Sequence, residues 1–149
     1  MAASQDFFTT MRNFHVRLTT GATADDGSSQ TAVTWWGLTS GGSAGAAPTT
    51  SWMLSGIKIT DSSATGVGNI ADSLVRVFAT DPASGGVTRL VDTIDLGDPA
   101  VSSATSKGLN LYVPYGPQWT FGANVTLSLN VSATTTAGNL DVLGFVMAS

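Results

Sequence analysis

His15 is the only histidine in the chain. It stands beside Arg17 on the side of a strand opposite Phe14 and Val16. A Ser-His-Asp triad needs such a base, a positioned serine and an orienting carboxylate. Serine and aspartate are plentiful here, but their abundance says nothing about geometry. The lone histidine is read as structural or surface-facing. The three aspartates Asp92, Asp95 and Asp98 recur at intervals of three. Hard cations such as calcium favour oxygen ligands of this kind. Strand alternation sends Asp92 and Asp95 to opposite faces, however, and Asp98 precedes Pro99 as turn residues do. Solvated strand and turn carboxylates are therefore expected, and the same holds for Asp25-Asp26 in a Gly/Ser-rich loop. Acid–base glycoside hydrolysis needs two carboxylates facing one cleft. Among ten aspartates, pairs arise without selection. Gly66-Val67-Gly68 lacks the lysine and following helix of a phosphate-binding loop. No catalytic residue, metal or cofactor is assigned.

Four tryptophans, Trp35, Trp36, Trp52 and Trp119, offer a different chemistry. Indole rings stack on sugars and anchor protein interfaces. Adjacent Trp35 and Trp36 must point to opposite faces of their strand, so at least one is expected in the core. Core packing plus an interface anchor is the favoured reading. Asn124-Val-Thr126 and Asn130-Val-Ser132 match the N-glycosylation acceptor pattern. With no secretion signal in front of them, they are read as coincidences of a Thr/Ser-rich strand.

The elements that carry these residues are strands. Phe14, Val16 and Leu18 alternate with polar partners. Further strands are expected over 31–39 around the paired tryptophans, 51–60, 73–80 and 87–96. The apolar parity changes between Leu54 and Ile57, which predicts a bulge at Ser55-Gly56. Leu74, Val75, Val77 and Phe78 are apolar on both parities, which predicts burial on both sides. Leu90, Ile94 and Leu96 share one parity. Leu109, Leu111, Val113 and Tyr115 alternate until Pro114 and Pro117 intervene. From Trp119 to Val131 every odd position is apolar; a bend at Gly122 is expected, because thirteen strand residues would span about 44 Å. The last strand covers 140–147. Loops rich in Gly and Ser separate these segments at 21–29, 40–51 and 61–69. No helical period of useful length occurs. The expected fold is all-β, an antiparallel two-sheet sandwich forming a jelly roll of about eight strands, with an immunoglobulin-like sandwich as the next choice. Residues 1–12 read as an N-terminal arm or a first short strand, and 13–149 as a single β-sandwich domain.

Composition supports that class. The 149 residues are 42% hydrophobic but only 11% charged. All ten acids are Asp, with no Glu, and there are only two lysines, Lys58 and Lys107. The charged helix formers are thus nearly missing. With a net charge of −4 and six scattered cations, the chain lacks the basic patch that releases counterions from phosphates. Nucleic acid and anionic membrane surfaces are not expected partners, and no apolar run approaches the roughly 18 residues of a membrane helix. Cysteine is absent, which fits synthesis in a reducing cytoplasm. The first residues show neither the basic start nor the apolar run of a signal peptide.

Two stretches carry no charge: Gly27–Ile57 and Gly108–Leu140. Strand edges without charges recruit other chains. Coverage by further subunits is the simplest way to keep such a sheet soluble, so an assembly component is expected. Phe7, Phe8 and Met11 in the arm, together with Trp35, Trp36, Trp52, Tyr115 and Trp119, are the expected contacts to copies of the chain or to a partner. The chain resembles the decoration (cement) proteins of tailed bacteriophages, which are short, cysteine-free, weakly acidic and rich in Thr, Ser, Ala and Gly. The two charge-free stretches and Thr134-Thr135-Thr136 carry the resemblance. It implies a homo-oligomer, with a trimer favoured, made in the host cytoplasm and seated on the outside of a capsid. There it would reinforce joints between major capsid subunits. The alternative is a carbohydrate-binding jelly roll or phage receptor-binding tip.

Overall fold

The computed structural model describes residues 10–20, 30–37, 46–61, 74–96, 109–132 and 138–148. Among the described residues, ten strands form two antiparallel sheets. They are β1 (Thr10–Thr20), β2 (Thr31–Ala32), β3 (Thr34–Gly37), β4 (Trp52–Asp61), β5 (Leu74–Asp81), β6 (Val87–Asp95), β7 (Asn110–Pro114), β8 (Thr120–Phe121), β9 (Thr126–Ser132) and β10 (Gly138–Ala148). The first sheet runs β3-β1-β10-β4-β7, with β8 also on β4; the second runs β2-β9-β5-β6.

The pairings nest. β1 pairs with β10, β2 with β9, β4 with β7 and β5 with β6. First meets last, and the order closes inward to the β5–β6 hairpin. A long antiparallel hairpin wrapped into two sheets has this order, which is the jelly roll. Among the described residues the strand passes number eight, because β2 with β3, and β7 with β8, are each one interrupted pass, the first at a change of sheet and the second at a 3-10 turn within one sheet.

One such break corrects the single strand expected over 31–39. Thr31 and Ala32 pair with β9 in the second sheet, while Thr34 to Gly37 pair with β1 in the first. Val33 still donates its N–H to Leu127 O at 3.1 Å, so the chain changes sheets at one residue. The expected bend at Gly122 is a larger break. Pro117–Trp119 is a 3-10 turn, β8 lies on the first sheet, and β9 belongs to the second. Asn124 makes the turn with φ of 63°. The odd-position alternation survives because both segments face one shared core. Val125, Leu127, Leu129 and Val131 line it from one side, and β8 packs at its margin.

The bulge lies where expected. Phe145 pairs with Gly56 and Val146 with Leu54, leaving Ser55 as the extra residue. Leu54 and Ile57 therefore both reach the core. A second bulge was not foreseen. Val77 pairs with Asp92 and Phe78 with Leu90, so Val91 is extra. Leu90 is consequently 52% exposed rather than aligned with buried Ile94 and Leu96. Residues 10–12 belong to strand β1: Thr10, Met11 and Arg12 pair with Ala148, Met147 and Val146. Residues 1–9 of the expected arm lie outside the described residues.

Candidate assembly surface

Each strand of the first sheet sends alternate side chains to the core and to the far face. Inward go Phe14, Val16 and Leu18 of β1, and Leu140, Val142 and Val146 of β10. Outward go Met11, Asn13, His15 and Arg17 of β1, and Asp141, Leu143, Phe145 and Met147 of β10. β10 is the middle strand and is apolar on both faces. An antiparallel sheet with one wet face shows polar residues on it; apolar residues on both faces mark strands covered on both sides.

The register sets the outward residues in rows. One row reads Trp36, Asn13, Phe145, Gly56, Pro114. Below it Met11, Met147 and Met53 stand side by side. Above it come Thr34, His15, Leu143, Lys58 and Tyr112. Met11, Trp36 and Tyr112 are 52%, 37% and 54% exposed. The Tyr112 side chain lies across Gly56, whose missing Cβ leaves the space, and its ring centroid is 6.4 Å from that of Phe145.

Charge is sparse here and mostly neutralised on the spot. Arg17 grips Asp141 with two bonds, Nε–Oδ1 at 2.8 Å and Nη2–Oδ2 at 3.2 Å. The hydrogen bond and the charge of Asp141 raise the pKa of the Arg17 guanidinium. His15 Nε2 stands 3.5 Å from the same carboxylate, and the imidazole stacks on Trp36 at 5.2 Å with ring planes 7° apart. His15 is thus placed as expected, facing away from Phe14 and Val16, packed on Trp36 beside Asp141.

The candidate residues divide. Met11 and Trp36 lie on this face. Trp35 and Trp52 do not: at 3% and 0% exposure they belong to the core, where Trp35 meets Phe14 and Trp52 edge-on at 5.4 and 5.2 Å. That corrects their assignment as contact residues, because inward parity places their rings between the sheets. Tyr115 and Trp119 pack edge-on at 5.0 Å on the margin of the sandwich. There the Tyr115 hydroxyl donates to Asp92 Oδ2 at 2.5 Å, tying the first sheet to β6 of the second. Burial, then the Asp92 hydrogen bond and charge, push the Tyr115 pKa far above its ordinary value. Phe7 and Phe8 lie outside the described residues. Sequence reasoning missed Met53, Tyr112, Leu143, Phe145 and Met147. The signal was present: Leu140 to Met147 is apolar on both parities, like the 74–78 segment.

The tryptophans form no common platform, since two are core, one is marginal and one is outward. Asp92 is engaged by Tyr115, Asp95 sits on the other face of β6, and Asp98 lies outside the described residues. Among the described residues no three His or Asp side chains converge as metal ligands would. Asn130 is only 2% exposed, which closes that glycosylation acceptor. Gly41-Gly42-Ser43-Ala44-Gly45 has the Gly-x-Ser-x-Gly spacing of a nucleophile elbow. It too lies outside the described residues, and the next element is strand β4 rather than the helix such an elbow requires.

The charge-free stretches need a different explanation from open edges. They include residues 52–57 of interior strand β4 and all of interior strand β9, where lack of charge reflects burial. Of the edge strands, β2 has two residues, β3 four, and β7 ends at Pro114. The long edge, β6, is bulged and carries Arg89, Asp92 and Asp95. Short, proline-ended, bulged or charged edges resist pairing. The unguarded surface is a face, not an edge.

No family model matches the chain, and no curated protein matches it. Among solved structures it is similar to a chain of the Cyanophage Pam1 capsid asymmetric unit, with a TM-score of 0.45 and 13% identity, over 100% of this chain and 92% of that chain.

Proposed function

We propose that this chain is a structural virion component, a decoration protein that binds the outside of a phage capsid as a homo-oligomer and stabilises the joints between its subunits. The role is one of attachment rather than catalysis. The observation that carries it is the outward face of the first sheet, where Met11, Trp36 and Tyr112 are exposed around Leu143, Phe145 and Met147. Trp, Tyr, Phe and Met are the residue types enriched at the cores of protein interfaces. Jelly rolls occur in viral capsid proteins and in lectins alike, so the fold by itself does not choose between them. The composition favours the capsid reading, and the dispersal of the tryptophans disfavours a sugar platform.

The test is reconstitution. Particles stripped of this protein are incubated with the purified chain, and its copy number and the particle's melting temperature are measured. Saturable binding at a fixed copy number, with a higher melting temperature, supports the role. Binding to arrayed glycans without binding to particles sinks it. Removing residues 1–9, which leaves β1 intact from Thr10, reports whether the segment with Phe7 and Phe8 contributes to attachment.

A further inference from the structure

We propose that Met11, Met147 and Met53 form a binding site for one soft monovalent metal ion, copper(I) or silver(I), on the outward face of the first sheet. The site is independent of the attachment role.

Three adjacent strands bring the thioethers into one row. Met11 of β1 is the Cα partner of Met147 of β10, and Met147 is in turn the partner of Met53 of β4. All three have outward parity: Met147 stands between buried Val146 and Ala148, and Met53 between buried Trp52 and Leu54. Opposed residues of antiparallel strands have Cα atoms about 4.5–5.5 Å apart, so the outer two methionines are about 10 Å apart. Metal–sulfur bonds of about 2.3 Å hold the sulfurs of a three-coordinate ion about 4 Å from one another. Each outer sulfur then leans in by about 3 Å, within reach of an unbranched side chain with three rotatable bonds. Met11 is 52% exposed and the other two are partly buried, so an ion enters the row from solvent.

A second observation is where methionine is missing. The chain has four methionines, and the remaining one is Met1. Methionine is a common filler of irregular gaps in cores. Yet among the described residues the buried core consists of Val, Leu, Ile, Phe, Trp and Ala and holds no methionine. A face that needed only apolar area would be served by those same types, as Leu143 and Phe145 serve it on β10. What the row adds is sulfur.

The chemistry follows from the donor set. Thioethers are soft, neutral ligands that suit copper(I), whereas calcium, magnesium and manganese take oxygen. No harder ligand is free in the row: Thr120, opposite Met53, donates its hydroxyl to Pro117 O at 2.7 Å. The only histidine, His15, lies four residues beyond Met11 on β1, about 13 Å along the strand. Asp141 is farther still and is held by Arg17. With neutral donors and no carboxylate at hand, the charge of a divalent ion would go uncompensated as it loses water, and a monovalent ion is favoured.

The test is titration of the full chain with copper(I), kept reduced by ascorbate in the absence of oxygen, and separately with silver(I). Calorimetry gives stoichiometry and affinity, and the methyl resonances of isotope-labelled methionine report the ligands. One ion per chain is expected, with a dissociation constant below about 10 µM. Three methionine methyl signals should move together while that of Met1 stays still, and zinc and calcium should move none. Leucine nearly matches methionine in volume and apolarity. Met147→Leu and Met11→Leu are therefore expected to melt close to the parent and to bind either ion at least about tenfold more weakly. If Met147→Leu melts early, Met11→Leu decides, because its position is exposed. His15→Gln is expected to bind as the parent does. A chain that takes up neither ion overturns the proposal. So does binding that survives both leucine variants, or binding that is lost with His15→Gln.

Discussion

Two glycines look alike on paper and are expected to behave oppositely. Gly144 in β10 stands across from Phe14, and a Cβ added there would run into the ring of Phe14. Gly56 in β4 lies under Tyr112, and a Cβ there would run into the hydroxyl end of that ring, with Cε2 and Cζ at 2.7 Å. Both glycines have ordinary strand backbones, so alanine itself is conformationally acceptable. In a compatible backbone the change is worth about 0.4–1 kcal/mol of added stability, through the unfolded chain. What differs is whether the obstructing ring can leave. Phe14 is fully buried and edge-on to Trp35 at 5.4 Å, which is edge-on to Trp52 in turn. Its ring has nowhere to go, and overpacking a filled core costs about 1–3 kcal/mol, occasionally more. With a ring wedged between two sheets the upper end applies, so Gly144→Ala is expected to destabilise by a net ~2–3 kcal/mol. Tyr112 is more than half exposed and swings outward, so Gly56→Ala is expected to stay within about 1 kcal/mol of the parent. For a domain of this length, each kcal/mol moves Tm by about 2–4 °C. Gly144→Ala should then melt at least about 2 °C below Gly56→Ala. Urea denaturation and calorimetry measure both. Equal losses at the two sites would refute the reasoning, because only mobility of the obstructing ring separates them. Adding Phe14→Leu to Gly144→Ala should cost less than the sum of the two single changes.

Other consequences are simpler. The Tyr115 pKa is raised in the folded chain, so above pH 10, its ordinary value, the unfolded state gives up a proton that the folded state keeps. Stability is therefore full below about pH 10 and falls as pH rises past it, and Tyr115→Phe should flatten that fall in denaturation curves taken from pH 8 to 11. Trp52→Ala should cost about 3–5 kcal/mol and Trp36→Ala under about 1 kcal/mol, read by urea titration, since one ring is core and the other outward. Gly85, with φ of 79° in the turn between β5 and β6, should lose about 1–2 kcal/mol on change to alanine, whereas Asn124→Gly at φ of 63° should be neutral or stabilising in the same assay.

Particular segments show how far local pattern carries. The change of parity between Leu54 and Ile57 located the Ser55 bulge, because both residues had to face one core. The alternation from Trp119 to Val131 located that core correctly but suggested one strand with a bend where there are a turn, β8 and β9. Alternation reports which side of the chain is buried; it is blind to a change of sheet when both sheets bury the same side. The Val91 bulge escaped because nothing in the residues of β6 marks it, and Leu90 was placed with Ile94 in consequence. Trp35 and Trp36 were known to diverge, yet which one faced inward depended on how β3 pairs with β1.

The sequence by itself determined the all-β class, the sandwich, the approximate strand positions and the near-absence of charge, since each follows from residue types and periodicity within a dozen neighbours. Only the tertiary structure decided which strands are interior, which edges are short or bulged, and that Met11, Trp36, Leu143, Phe145 and Tyr112 share one outward face. Those residues lie on four strands drawn from both ends and the middle of the chain. The register that brings them together is set by pairing across up to more than a hundred positions, as in β1 against β10, and no local signal encodes it.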